Sequence, residues 1–249
     1  MSEKYKVISS KIEDIIQERF AVHPLSHGIN IENSELVLSQ YFAMSQAFPY
    51  LQAGAQKAQI INAMENNEDI DPRFEYTAVV GNFLCWDETG GHAIVRHDGN
   101  EGLAKILNTS TNFHANMLRK DIKNMTGKDV KPLYSSATVS YLNELLTGLE
   151  SLNHLKRCAY MVAFENHAGI MIDSLWGSLL NLFKMKKDDL IYFSFHVGGA
   201  DPAEPYHIEM TERMVSEIVP DENIKEFVNE FINAYAINYN WCESIKSQK

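Results

Sequence analysis

Apolar residues recur at helical spacing along nearly the whole chain. An amphipathic stripe over residues 7–20 predicts a first helix, and a second is expected over about residues 34–64. A third helix begins near Pro72, a favoured first helical position, and runs to Glu88. Further helices are predicted over about residues 111–125, 135–149, 152–184, 187–197, 202–218 and 221–246.

Three segments depart from this pattern. The polar run over residues 65–72 predicts a loop, and a stretch containing Gly and His over residues 90–100 falls between predicted helices. Residues 190–197 fit a short strand as well as a helix. Because the sequence shows no repeat and no linker, the pattern predicts one all-α domain over residues 1–249.

Composition and charge narrow the class of protein. The 249 residues are 45% hydrophobic and 22% charged, which excludes a disordered or low-complexity chain. The net charge of -11 should repel nucleic acid and anionic membranes. The three cysteines are far apart, the N-terminal segment is charged, and no run of about 20 apolar residues occurs. We therefore expect a soluble cytoplasmic protein.

Ionisable residues inside apolar stripes are the candidate chemistry, because burying an unpaired charge is costly. Glu165 lies in the middle of an apolar helix with no Lys or Arg within one helical turn. Glu88 ends an apolar stripe on the third helix, where it is either functional or solvated. His114 shares a helical face with Leu118 and Ile122, so it is either a ligand or a satisfied core histidine.

A turn near residue 200 carries the remaining candidates. His196 follows an apolar segment, and Asp201 and Pro202 are typical of a helix start. Glu204 and His207 are three residues apart, so they project from one side of that helix. Helical di-metal sites present ligands as Glu-x-x-His. In the alternative interpretation Glu204 caps its own helix.

Together these residues have the composition of a metal centre. Carboxylates and imidazoles from several helices suit iron or manganese better than a structural zinc. Two such ions need about three carboxylates and three imidazoles. The candidates that supply them are Glu88, His114, Glu165, His196, Glu204 and His207.

The order of these motifs resembles a known family. Along the chain they are Asp87-Glu88-Thr89-Gly90-Gly91, Phe113-His114-Ala115, Ala163-Phe164-Glu165, and Tyr192-Phe193-Ser194-Phe195-His196 followed by a carboxylate-x-x-His. This order is similar to that of the haem-oxygenase-like di-iron oxidases, which include the CADD-like proteins and share their fold with TenA and PqqC. The resemblance covers about residues 70–220 and implies a seven- or eight-helix bundle whose dinuclear iron site activates O2.

The resemblance also implies ligand roles for the six candidates. Glu165 would be the bridging carboxylate, and Glu88 with His114 would come from the first core helices. Insertions relative to the family pattern leave two positions open. His92 or His97 replaces His114 in one alternative, and Asp201 replaces Glu204 in the other.

The leading hypothesis is an O2-dependent non-haem di-iron enzyme that acts on a small molecule. Its cofactor would be dinuclear iron or a mixed iron/manganese pair. Its partners would be a small-molecule substrate and O2, and whether two chains form a homodimer is left open. Tyr41, Tyr50 and Tyr160 are expected to line its pocket. The alternatives are a metal-free TenA- or PqqC-like enzyme with Cys158 as nucleophile, and a helical binding protein without catalysis.

Overall fold

The computed structural model describes residues 2–197, 199 and 203–248, apart from the side chain of Glu204. Within those residues the chain is helical and contains no strand, so the predicted all-α fold is confirmed. Eight of its α-helices have 13 or more residues, in keeping with the expected seven- or eight-helix bundle. No helix in the described part has the length and apolar character needed to cross a bilayer.

The helices are numbered in chain order, with short 3-10 turns between some of them. They are α1 (Glu3–Arg19), α2 (Ile31–Ala55), α3 (Lys57–Asn66), α4 (Pro72–Glu88), α5 (Gly91–Asp98), α6 (Thr109–Asn112), α7 (His114–Thr126), α8 (Ser136–Leu149), α9 (His154–Phe183), α10 (Ile191–Val197), α11 (Glu204–Ile218) and α12 (Ile224–Lys246).

The second helix, expected as one element over about residues 34–64, is two helices in the structure. α2 ends at Ala55 and α3 begins at Lys57. The buried guanidinium of Arg157, on α9, donates hydrogen bonds to the carbonyl of Ala55 and to the side chain of Gln56. Because a cation at the last carbonyls stabilises a helix C-terminus, this long-range contact favours ending α2 there.

Residues 90–107 form more helix than the sequence pattern indicated. They contain α5 and a 3-10 segment from Gly99 to Leu107.

Residues 190–197, the segment that fits a strand as well as a helix, form the helix α10. Its first two amides, from Ile191 and Tyr192, donate to the buried carboxylate of Asp121 at 2.9 and 2.7 Å. α7 therefore fixes the start of α10.

The long helix α9 is the centre of the bundle and packs against α4, α8, α10, α11 and α12. It is apolar around most of its circumference, which is typical of a helix surrounded by others. α8 approaches it closely at Gly148, where a Cβ atom would overlap the ring of Tyr160. This packing holds α9 rigidly beside the helices that carry the candidate ligands.

The start of α11 differs from the expectation. The helix begins at Glu204 with Ala203 as its N-cap, rather than at Pro202 after an Asp201 cap. The amide of His207 donates to the carbonyl of Ala203, as expected for the first turn. Asp201, Pro202 and the side chain of Glu204 lie outside the described residues.

Candidate metal centre

Three side chains from different helices converge inside the bundle. Glu88 is the last residue of α4, His114 the first of α7, and His196 belongs to α10. Each offers one ligand atom, and these atoms lie within 4.8 Å of one another. Glu88 Oε2 is 3.4 Å from His114 Nδ1. One carboxylate and two imidazoles at this spacing form a candidate ligand group for a transition metal.

Gly90 explains how Glu88 and His114 meet although they are distant in sequence. Its φ of 84° is a left-handed conformation that favours glycine. A Cβ atom at Gly90 would lie 2.5 Å from the carbonyl oxygen of Asn112, two residues before His114. The glycine therefore lets the end of α4 lie directly against the start of α7.

The ionisation states in this group suit metal binding. Burial raises the pKa of Glu88, but the nearby imidazoles, first that of His114, outweigh burial and lower it. Burial lowers the pKa of His196 to about 4, so this imidazole is neutral at pH 7. Its buried Nε2 has no hydrogen-bond partner among the described residues. A buried imidazole nitrogen without a hydrogen-bond partner is a position where a metal ion would compensate.

A second group lies on α9, α11 and the end of α4. His207 places Nδ1 3.3 Å from Glu165 Oε2 and Nε2 3.2 Å from Asp87 Oδ2. Burial lowers the pKa of His207, but the hydrogen bonds to Asp87 and Glu165 outweigh it and raise that pKa to about 11. The imidazole is therefore protonated at pH 7 and donates from both nitrogens.

Asp87 is a functional candidate that the sequence reasoning missed. Its carboxylate is only 1% exposed, and one oxygen contacts His207. A carboxylate on the second nitrogen of a histidine is the usual arrangement behind metal-bound imidazoles, because it orients the ring and fixes its tautomer. The only sequence signal was its position beside Glu88, near the end of an apolar helix.

Both groups face one cavity of about 100 Å³, which is partly open at the exposed Gly169. Glu88 and His196 line it from one group, and Glu165 and His207 line it from the other. The remaining wall is largely apolar and aromatic. It includes Tyr41, Met44, Phe48, Leu84, Phe164, Met171, Ile172 and Tyr192.

The structure distinguishes between the histidines left open by the sequence. His114 belongs to the group with Glu88, whereas His92 packs against the rings of Phe83 and Tyr206. His97 is 86% exposed and pairs with the neighbouring Asp98. Neither His92 nor His97 joins a group of candidate ligands in the described residues. The choice between Asp201 and Glu204 falls on atoms outside the described part.

Only one of the three expected pocket tyrosines lines the cavity. Tyr41 does so, and its hydroxyl lies 3.4 Å from that of Tyr192, a lining residue that the sequence reasoning did not select. Tyr50 is 66% exposed, and Tyr160 packs at the contact between α8 and α9. Cys158 is fully buried away from the cavity lining, and burial raises the pKa of its thiol far above 9. It therefore lacks the ionised state of a nucleophile.

A separate buried group contains His23, His167 and Cys242, all under 5% exposed. His23 Nδ1 accepts the amide hydrogen of Leu25, so its proton is on Nε2, which lies 3.1 Å from His167 Nε2. A metal-bound histidine normally donates from its second nitrogen, and here that nitrogen accepts. We interpret this group as a neutral, hydrogen-bonded histidine pair.

Comparison with known proteins gives a result only at the level of structure. No protein-family model matches the sequence, and no curated protein sequence matches it either. Two crystal structures, at 2.00 and 1.35 Å resolution, of a CADD-like protein of unknown function from Nostoc punctiforme PCC 73102 are similar to this chain. Both are 13% identical to this chain in sequence, and both alignments cover 98% of it. The 2.00 Å structure has a TM-score of 0.70 with 98% of its own chain covered, and the 1.35 Å structure has a TM-score of 0.68 with 95% covered. Taken over nearly its whole length, the chain has the fold of a CADD-like protein.

Proposed function

We propose that the protein is an O2-activating non-haem di-iron oxidase or oxygenase that acts on a small molecule. The observation that carries this proposal is the convergence of two carboxylate–imidazole groups on one cavity. Similar ligands in a helical bundle are a known way to hold a pair of iron or manganese ions.

The ligand assignment follows from the two groups. Glu88, His114 and His196 would hold one ion. Glu165 and His207 would hold the second, with Glu204 as the sixth ligand. The donors are carboxylate oxygens and imidazole nitrogens, which suit iron, with a mixed iron/manganese pair as the alternative. When bound, the metal pair would supply the activation of O2.

Asp87 has a separate role in this proposal. It would accept the remaining Nε2 hydrogen of His207 and so leave Nδ1, the nitrogen beside Glu165, available to the metal. His207 must lose one proton to bind a metal. The free energy of that loss depends on Asp87 and Glu165, because these two carboxylates raise the pKa of His207. The chain thereby couples metal binding to the protonation of one imidazole.

The cavity wall favours a small substrate with an apolar part. Phe48 and Phe164 stack with ring centroids 4.1 Å apart, and Tyr41 and Tyr192 place their hydroxyls together. Such a wall orients a ligand mainly by shape, with the two hydroxyls as hydrogen-bonding groups. The volume of about 100 Å³ limits the substrate part beside the ligands to a few heavy atoms.

The two alternative functions are less well supported. A metal-free enzyme with Cys158 as nucleophile conflicts with the complete burial and raised pKa of that thiol. A binding protein without catalysis gives no reason for a buried His196 whose Nε2 has no partner among the residues that the structure describes.

Anaerobic loading with ferrous iron followed by exposure to O2 tests the proposal. The expected result is bound iron and a change in the visible absorption spectrum when O2 is added, because oxidised iron with carboxylate and imidazole ligands absorbs light. Protein that binds no iron, or whose bound iron shows no response to O2, would refute the proposed function.

A further inference from the structure

A second cleft lies on the outer side of the Glu165–His207 pair. It has a volume of about 300 Å³ and is bounded by α1, α9 and α11. From α1 it is lined by Tyr5, Ser9 and Glu13, which are four residues apart and so share one helical face. The cleft is open toward solvent at Glu13, an exposed residue.

Glu165 and His207 line this outer cleft and also the cavity beside the candidate metal centre. The two side chains therefore form the wall between the cleft and that cavity. A species that enters the cleft from outside meets two proposed ligands directly, without crossing the aromatic part of the cavity.

The chemistry of the cleft suits a hydrated cation. Its lining contains two carboxylates, three hydroxyl groups and the amide of Asn166. The one cation in this lining, protonated His207, is already paired with Glu165 and Asp87. Lys4, which precedes Tyr5 on α1, donates hydrogen bonds to the carbonyls of Ser216 and Val219. Glu13 itself is held by the hydroxyl of Ser9 at 3.0 Å. Glu13 leaves the cleft with an excess of negative charge, and oxygen donors in such a groove attract divalent cations and raise their local concentration.

We propose that this cleft is the entry route by which divalent metal ions reach the centre, with Glu13 as the first carboxylate they meet. The inference rests on the proposed function, since it assumes that Glu165 and His207 bind metal. It assigns to Glu13 and Ser9 a role in the rate of metal loading and none in the final occupancy.

Stopped-flow mixing of metal-free protein with Co²⁺ tests the route, with cobalt absorption as the readout. Glu13→Lys reverses the charge at the mouth and should slow loading by about fivefold at low ionic strength, with a smaller effect in high salt. Ser9→Phe narrows the cleft and should give the slowest loading. The control Glu18→Gln, on an exposed part of α1, should load at the parental rate.

The outcomes separate the two proposals. Both variants should reach the parental number of cobalt ions per chain, and circular dichroism should show unchanged helix content. If either Glu13→Lys or Ser9→Phe loads at the parental rate, the entry route is wrong while the metal centre stands. If the parent binds no cobalt and no ferrous iron, the proposed function fails and the entry route fails with it.

Discussion

Metal binding to the metal-free protein should release about one proton per chain at pH 7. His207 is the source, because Asp87 and Glu165 outweigh burial and raise its pKa to about 11. The other ligands with shifted pKa values contribute almost nothing. Burial keeps His196 neutral with a pKa of about 4, and the lowered pKa of Glu88 leaves that carboxylate ionised.

The direction of the pH dependence follows from this raised pKa. Below pH 11 a proton competes with the metal for His207, so affinity should rise by about tenfold per pH unit between pH 7 and 9. The stability of the metal-free protein should change in the opposite direction. The contribution of protonated His207 is complete below its unfolded pKa of about 6.5 and is lost as the pH rises toward 11.

Isothermal titration calorimetry with ferrous iron, without oxygen, measures the released protons when it is repeated in buffers of different ionisation enthalpy. His207→Gln should release about one proton fewer per chain than the parent. His97→Gln makes the same change at an exposed position and should behave as the parent. A parent that binds iron without releasing a proton would refute the protonation state inferred for His207.

Three further changes test the fold and the alternatives. Burial lowers the pKa of His23 to about 4, so its neutral form contributes stability above about pH 6.5 that is lost as the pH falls. From pH 7 to 5 this contribution of His23 falls by about 2 kcal/mol, so His23→Asn should lose less unfolding free energy than the parent over that range, by about that amount, in urea unfolding. Gly148→Ala should lower the unfolding free energy by about 1–3 kcal/mol because the new methyl group overlaps Tyr160, and an unchanged melting temperature would contradict the packing. Cys158→Ser should leave iron content unchanged, whereas a loss of iron would give this thiol a role at the centre.

Local sequence patterns determined most of the fold. α4 begins at Pro72 and ends at Glu88 as predicted, because Asp71 accepts the amide hydrogen of Arg73 and the stripe is apolar throughout. The division between α2 and α3 was not predictable in the same way. It depends on Arg157, about 100 residues away, and local periodicity contains no information about such a partner.

The sequence predicts a site residue where the local helical pattern alone indicates that an ionisable side chain is buried. Glu165 was identified because a carboxylate inside an apolar stripe needs a partner, and the structure places His207 beside it. Asp87 was missed because its importance comes from a contact with α11, which is distant in sequence. The pairing of Glu88 with His114 also depends on tertiary structure, through the tight approach at Gly90.

The number of iron ions bound per chain tests the central claim most directly. After anaerobic loading and removal of excess metal, the account predicts about two iron ions per chain in the parent. Glu165→Ala should retain at most about one, because the second group loses its carboxylate. The control Asp173→Ala, an exposed position on the same helix, should retain two. A parent without bound iron, or a Glu165→Ala variant with the same iron content as the parent, would contradict the account.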